Sequence, residues 1–136
     1  MRKLRGILLV DDNETSNFLN ERLLKRMALT DNIIILNNGK QALEYMEELS
    51  RQPATLKPEL VLLDINMPVL DGFEFLELFN QFDEQFREDI LISILSTSNH
   101  PQDTGKATRF NAHYLTKPLT TEKIENLLAA HYPVST

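Results

Sequence analysis

The chain is 136 residues long, which suits one domain and leaves little room for a second. Its 20 acids against 14 bases give a formal net charge of −6, which argues against a broad electrostatic footprint for nucleic acid. With no cysteine, disulfides and thiolate metal sites are excluded, and 42% hydrophobic residues without tryptophan predict an ordinary, mostly aliphatic core. The basic-then-apolar opening is too short for a signal peptide and runs straight into two acids. No segment is long enough to span a bilayer, so a soluble cytoplasmic domain is expected.

Ile7 to Val10 is an apolar run closed by Asp11-Asp12 and reads as a first strand. Phe18, Leu19, Leu23, Leu24 and Met27 fall at roughly helical spacing and predict a first helix over about Thr15 to Leu29. Ile33 to Leu36 is β-branched and predicts a second strand. The turn signal Asn37-Asn38-Gly39 precedes a second helix, about Lys40 to Leu49. Ser50 to Pro58 is polar and contains two prolines, and reads as a surface loop longer than a usual connection.

Leu60 to Leu63, closed by Asp64, is a third strand. About Gly72 to Phe82 is a third helix with Phe75, Leu76 and Phe79 inward, and Ile90 to Leu95 is a fourth strand. Pro101 suits the first turn of a short fourth helix, which Gly105 weakens by roughly 1 kcal/mol relative to Ala. Tyr114 to Thr116 is a fifth strand. Ile124, Leu127, Leu128 and His131 mark one face of a last helix that Thr120 or Thr121 can cap.

Strict alternation of five strands with five helices predicts an α/β fold, a doubly wound parallel sheet, in a single domain over 1–136 with its core at about 5–131. About five residues follow the last helix, so no output domain is expected. In such sheets ligands bind at the carboxyl ends of the strands, where Asp11, Asp12 and Asp64 would meet. Three carboxylates without histidine or cysteine suit a hard cation with oxygen ligands, Mg²⁺ first. Singly, each candidate has a plainer reading: Asp11 or Asp12 as a helix cap, Asp64 as a turn residue, Ser96 as a strand terminator, Lys117 as a solvated lysine. Their joint occurrence argues for a site. No Gly-x-x-x-x-Gly-Lys-Ser/Thr run is present, which excludes a P-loop GTPase. The loop after the first strand carries acids where a flavodoxin needs Ser, Thr and Gly.

Asp11-Asp12, then Asp64 with Met67-Pro68 and Asp71-Gly72, then Ser96, then Lys117-Pro118 run in an order that resembles the receiver domain of bacterial response regulators over nearly the whole chain. In architecture the chain is similar to the single-domain chemotaxis regulator. The resemblance implies a flavodoxin-like (βα)5 fold with strand order 2-1-3-4-5 and a phosphoacceptor module of a two-component system or phosphorelay. It implies that Asp64 attacks a phosphoryl group and becomes an aspartyl phosphate. It implies Mg²⁺ held by Asp11, Asp12, Asp64 and the backbone carbonyl of Asn66, with Lys117 and Ser96 on phosphoryl oxygens and a cis peptide before Pro118. The run Ser96-Thr97-Ser98 leaves Thr97 as the alternative hydroxyl. Tyr114 matches the family's aromatic switch. The surface of the fourth helix, fifth strand and fifth helix, with Lys106, Arg109 and Lys123 near it, matches the face that partners read.

The implied partners are a sensor histidine kinase or phosphotransfer protein and a downstream protein target, with no nucleic acid and no membrane. No enzyme activity is expected beyond self-phosphorylation and self-dephosphorylation. One alternative is an aspartyl-phosphate phosphohydrolase, which needs an acid two residues after the nucleophile, where this chain has Asn66. Another is a receiver-like binding module that does not use phosphorylation, against which the complete set of acids, hydroxyl and lysine argues.

Overall fold

The apolar runs become strands because a parallel sheet covered on both faces can bury them completely. In the computed structural model, which describes residues 3–98 and 100–131, β1 (Ile7–Val10) and β4 (Leu91–Ser96) are buried throughout. β3 (Leu60–Asp64) is buried up to its last residue. β2 (Ile33–Leu36) and β5 (His113–Thr116) lie at the edges and are mostly half-buried. All pair in parallel in the order β2-β1-β3-β4-β5, the order the resemblance implied. The register sets Val10 beside Leu63, Asp64 beside Leu95 and Ser96 beside Thr116. Asp11, Asp64, Ser96 and Lys117 therefore emerge along one edge of the sheet.

Helices α1 (Glu14–Arg26) and α5 (Thr121–His131) cover one face, and α2 (Gly39–Leu49), α3 (Gly72–Phe79) and α4 (Pro101–Arg109) cover the other. Side chains of alternate parity divide between them. Ile7 and Leu9 share one cluster with Leu24, Ile124 and Leu128, while Leu8 and Val10 share the other with Met46, Phe75 and Ala107. Thr120 is the cap of α5, its hydroxyl accepting from the Lys123 amide at 3.2 Å. His131 is not on the inner face. It is exposed, with its ring edge-on to His113.

Three expectations shift. The first helix ends at Arg26 because Ala28 adopts a left-handed φ of 53°, and its first turn faces inward with Asn17 while Phe18 and Leu19 are 61% and 55% exposed. Asn17 lies seven residues before Leu24, so the two share one stripe of the helix. The third helix stops at Phe79, and a separate single turn, Glu84–Arg87, follows. Phe82 kept the helical spacing because it still packs on Phe79 and Phe86 from the connecting turn. The segment Ser50–Pro58 is not simply a solvated loop. It holds a short 3₁₀ turn, Ala54–Leu56, and ends with Lys57 only 5% exposed.

The Lys57 ammonium donates to Asp89 at 2.7 Å and to the Phe86 carbonyl at 3.0 Å. Arg5 donates to the other Asp89 oxygen at 2.9 Å, and its amide donates to the buried Glu59 carboxylate at 2.7 Å. Burial works against the Asp89 charge, but Lys57 and Arg5 outweigh it and hold that carboxyl below the usual range. Arg5, Glu59 and Asp89 lie one or two residues before the starts of β1, β3 and β4, so this network fixes the amino ends of the central strands.

The residues following the last helix, 132–136, lie outside the described residues. Among the described residues no helix is long and apolar enough to cross a membrane. The helices differ in how firmly they are held. α3 buries Phe73, Phe75, Leu76 and Phe79, each contributing about 1.5–3 kcal/mol when fully buried, whereas α4 buries only Ala107. A Cβ added at Gly105, inside α4, meets nothing within 4 Å. Gly105→Ala is therefore expected to raise stability by about 0.5–1 kcal/mol, read by chemical denaturation, and to slow amide exchange across α4.

Candidate functional site

The chain turns sharply where it leaves β1, and the turn decides which groups stay available. Asn13 is the cap of α1, its side-chain oxygen accepting from the Ser16 amide at 2.9 Å. Neither Asp11 nor Asp12 serves as that cap. The Asp11 carboxylate accepts the Asn13 amide at 2.9 Å, and the Asn17 side-chain amide donates to the Asp11 carbonyl at 2.8 Å. The buried Asn17, which the sequence reading passed over as polar, thus anchors the backbone at Asp11. Its place in line with Leu24 was the available signal.

Asp64 closes β3, and the loop after it folds back tightly. Asp71 caps α3 in a reciprocal box with Glu74, so it belongs to the helix start and not to the acid cluster. The Gly72 amide donates to the Ile65 carbonyl at 2.8 Å. A Cβ on Gly72 would stand 2.5 Å from the Asp64 carbonyl oxygen, and one on Gly39 would stand 2.3 Å from the Leu70 carbonyl oxygen. Only glycine lets the starts of α2 and α3 close onto this loop. Val69, exposed in the same loop, has φ of 72°, a strained conformation for a β-branched residue. Met67 packs into the core beneath, and Asn66 is exposed two residues past Asp64.

Asp11, Asp12 and Asp64 each bring a carboxylate oxygen within 4.8 Å of the others. Asp11 is buried, Asp64 is partly buried and Asp12 is exposed. Lys117, from the end of β5, donates to Asp11 at 2.9 Å and stands 3.4 Å from Asp64. Burial and the neighbouring Asp11 charge push the Asp64 carboxyl above the usual range, against the pull of Lys117. Burial also works against the Lys117 charge, but the Asp11 hydrogen bond and the two carboxylates outweigh it, and the ammonium is held above the ordinary lysine range. With all three acids ionised, three carboxylates against one ammonium leave a formal charge of −2. That deficit and an all-oxygen donor set fit a hard divalent cation such as Mg²⁺.

Ser96, the last residue of β4, is 4% exposed, and its hydroxyl oxygen accepts from the Ser98 amide at 3.1 Å. Thr97 is exposed and lines a groove against α1 with Leu19, Leu23, Lys117 and Leu119. The Lys117–Pro118 peptide is cis. Tyr114 is half-buried, and its hydroxyl donates to the carbonyl of Ser98. On α4, the Lys106 ammonium lies 4.7 Å from the ring centroid of Phe73, the residue after Gly72.

Comparison with known proteins agrees with this geometry. Residues 7–129 match the model of the response regulator receiver domain. The response regulator Rcp1 of Synechocystis is 31% identical over 82% of this chain and 75% of its own length. The crystal structure of a two-component response regulator from Cytophaga hutchinsonii superposes with a TM-score of 0.86 at 30% identity, covering 95% of this chain and 97% of that one. The receiver domain of the sensor histidine kinase PA1611 from Pseudomonas aeruginosa shares the fold (TM-score 0.72, 24% identity, 92% of this chain and 94% of that one) and holds a magnesium ion in its active-site cleft. A sheet of order 2-1-3-4-5 with acids, hydroxyl and lysine along its carboxyl edge, matched over nearly its full length, places this chain in the family of response regulator receiver domains.

Proposed function

We propose that this receiver domain accepts a phosphoryl group on Asp64 from a histidine kinase or phosphotransfer protein and uses it to alter the α4–β5–α5 face for a partner. The carrying observation is the convergence of Asp11, Asp12, Asp64 and Lys117 with a net deficit of two positive charges. Asp11, Asp12 and Asp64, with the Asn66 carbonyl, are the residues that would hold Mg²⁺. When bound, the ion neutralises charge on the phosphoryl oxygens, which otherwise repel a carboxylate nucleophile.

The chain's own groups do the rest. An Asp64 oxygen attacks phosphorus and the donor's bond to phosphorus breaks, so the phosphoryl group moves to the carboxylate. Lys117 already stands between Asp11 and Asp64 and gives one oxygen of the incoming group a cationic donor. The Ser96 hydroxyl accepts from Ser98, which leaves its own proton free to donate to another phosphoryl oxygen. That motion draws on Ser98, whose carbonyl holds the Tyr114 hydroxyl. Ser98 thus couples the two proposed switch residues. Lys106 on Phe73 offers a second contact between the Asp64 loop and α4.

A phosphodonor needs a landing surface beside Asp64, and exposed Phe18 and Leu19 on α1 supply apolar area next to the acid edge. The domain is read as a cytoplasmic signalling module. An aspartyl-phosphate hydrolase is disfavoured by Asn66 at the position where such enzymes carry a second acid.

Acetyl phosphate with Mg²⁺ is expected to label Asp64, located by mass spectrometry of the adduct. Labelling of Asp64→Asn at the wild-type rate would remove Asp64 as the acceptor. Asp12→Ala is expected to weaken Mg²⁺ binding at least about tenfold by calorimetry, following the loss of one of three acidic ligands.

Protonation linkage gives an independent check. The Asp64 pKa is raised in the fold, so its protonated form stabilises the protein below the unfolded pKa, and that stabilisation is lost as pH rises through the folded value. Without Mg²⁺ at neutral pH, Asp64→Asn is therefore expected to melt above wild type. The difference should close as pH falls below the carboxylate range. Saturating Mg²⁺ should shrink or reverse it, because wild type binds the ion more tightly. Equal melting temperatures at neutral pH would show that ionised Asp64 carries no net penalty in the fold.

Beryllofluoride with Mg²⁺, mapped by amide chemical shifts, is expected to perturb Lys106 to Tyr114 as well as the acid edge. Shifts confined to the acid edge would exclude α4–β5–α5 as the responding face.

A further inference from the structure

The residues flanking Lys117 are bound by a side chain that the proposed chemistry does not use. Lys123, on the first turns of α5, sends its ammonium back over the β5–α5 connection. It donates to the Thr116 carbonyl at 2.7 Å, to the Thr116 hydroxyl at 3.0 Å and to the Pro118 carbonyl at 3.0 Å. These three acceptors match the three protons of an ammonium. They lie immediately before and immediately after Lys117. The Lys123 amide is itself held by the Thr120 hydroxyl at 3.2 Å, so both ends of the residue are tied to the same turn. Among the described residues no carboxylate lies within ion-pair distance of Lys123, and its side chain is half-buried, so its charge is committed to carbonyl oxygens.

The Lys117 segment is also held by the bond from its amide to the Ser96 carbonyl at 2.7 Å. That bond continues the β4–β5 ladder and fixes where the strand ends. It does not fix how the chain turns afterwards. We propose that Lys123 is the positioning residue for Lys117: by clasping Thr116 and Pro118 with one ammonium, it sets the turn from which Lys117 reaches Asp11 and Asp64. Charge-assisted hydrogen bonds are about twice as strong as neutral ones, which suits a clasp that must hold a turn against the pull of Asp11 and Asp64 on Lys117. Lys123 is therefore not part of a free basic surface. The inference rests on the reading of Lys117 as the phosphoryl-contacting cation.

The test compares Lys123→Met, which keeps the stem and removes the donors, with Lys123→Arg, which keeps cationic donors, in the presence of Mg²⁺ and acetyl phosphate. Misplacing a reacting group by about 1 Å can cost up to about a hundredfold in rate. Lys123→Met is expected to lower the labelling rate by about tenfold or more on that scale, with Mg²⁺ affinity within about twofold of wild type, since no ion ligand is touched. Lys123→Arg is expected to recover most of the rate. In a Lys117→Ala background, Lys123→Met is expected to cost nothing further, because residues acting as a unit are not additive.

A merely structural role would lower the melting temperature in both backgrounds and leave the labelling rate of Lys123→Met intact, and that result overturns the proposal. So does an additive loss in the double variant. Failure of the wild type to be labelled would instead overturn the phosphoacceptor reading. The side-chain ammonium signal of Lys117 then decides the clasp by itself: a signal unchanged in Lys123→Met refutes it, and a signal lost or averaged there supports it.

Discussion

Like charges held together dominate this molecule. Placing three carboxylates within 4.8 Å of one another at the carboxyl edge of the sheet opposes folding, and a single ammonium offsets only part of the repulsion. The raised pKa of Asp64 reflects its burial first and the Asp11 charge second. Many local features serve to keep those acids there. Asn13 takes the cap of α1, so Asp11 and Asp12 are not drawn into it. Asn17 holds the Asp11 carbonyl, and Gly72 lets α3 start directly behind Asp64.

The opposite edge of the sheet shows how the same fold treats charge when no ligand is involved. There two bases, Arg5 and Lys57, meet two acids, Glu59 and Asp89, and the signs balance. Such pairs are weak evidence for net stability, since desolvation consumes much of their attraction, but leaving one member alone is costly. Their effect is to fix the strand starts. One edge is neutralised and rigid, and the other carries a deficit of two charges that an ion and a phosphoryl group can change. The contrast between the two edges argues for a site better than the acids alone do, because acid clusters on a surface are common.

The strands were legible because buried parallel strands are short apolar runs, and the acids were legible because they close two of those runs. Other features depended on three-dimensional competition. Asp11, Asp12 and Asn13 are all good caps, and nothing local says that Asn13 wins. Phe82 keeps helical spacing while sitting outside the helix, because aromatic packing on Phe79 and Phe86 asks only for proximity. Lys57 falls in a segment whose polar sequence reads as a surface loop, and its burial depends on Asp89 and Phe86, about thirty residues on. Lys123 looked like surface charge on a helix, because its acceptors are backbone carbonyls that no residue pattern announces.

Helix α4 suits the responding role that the proposed reading gives it. A ligand shifts a conformational equilibrium only by its differential contacts with the two states, so the responding element must be one whose alternatives lie close in energy. α3 is anchored by four buried side chains and starts against Asp64 itself. It can transmit a displacement but is poorly suited to absorb one. α4 buries a single alanine, contains Gly105, and touches the site through Lys106 on Phe73 and through the Ser98–Tyr114 bond beside it. Its C-terminus is firm, closed by Asn111 at a left-handed φ of 61° with the Ala112 amide on the Ala107 carbonyl at 2.9 Å. Among the described residues its N-terminal half has no buried side chain. A helix packed more firmly at one end than at the other is suited to pivot, and its less buried end is the one that follows the Ser96–Ser98 segment. On the proposed phosphoacceptor reading, the asymmetry of packing within α4, and not the charge of the phosphoryl group alone, would set where the altered surface forms.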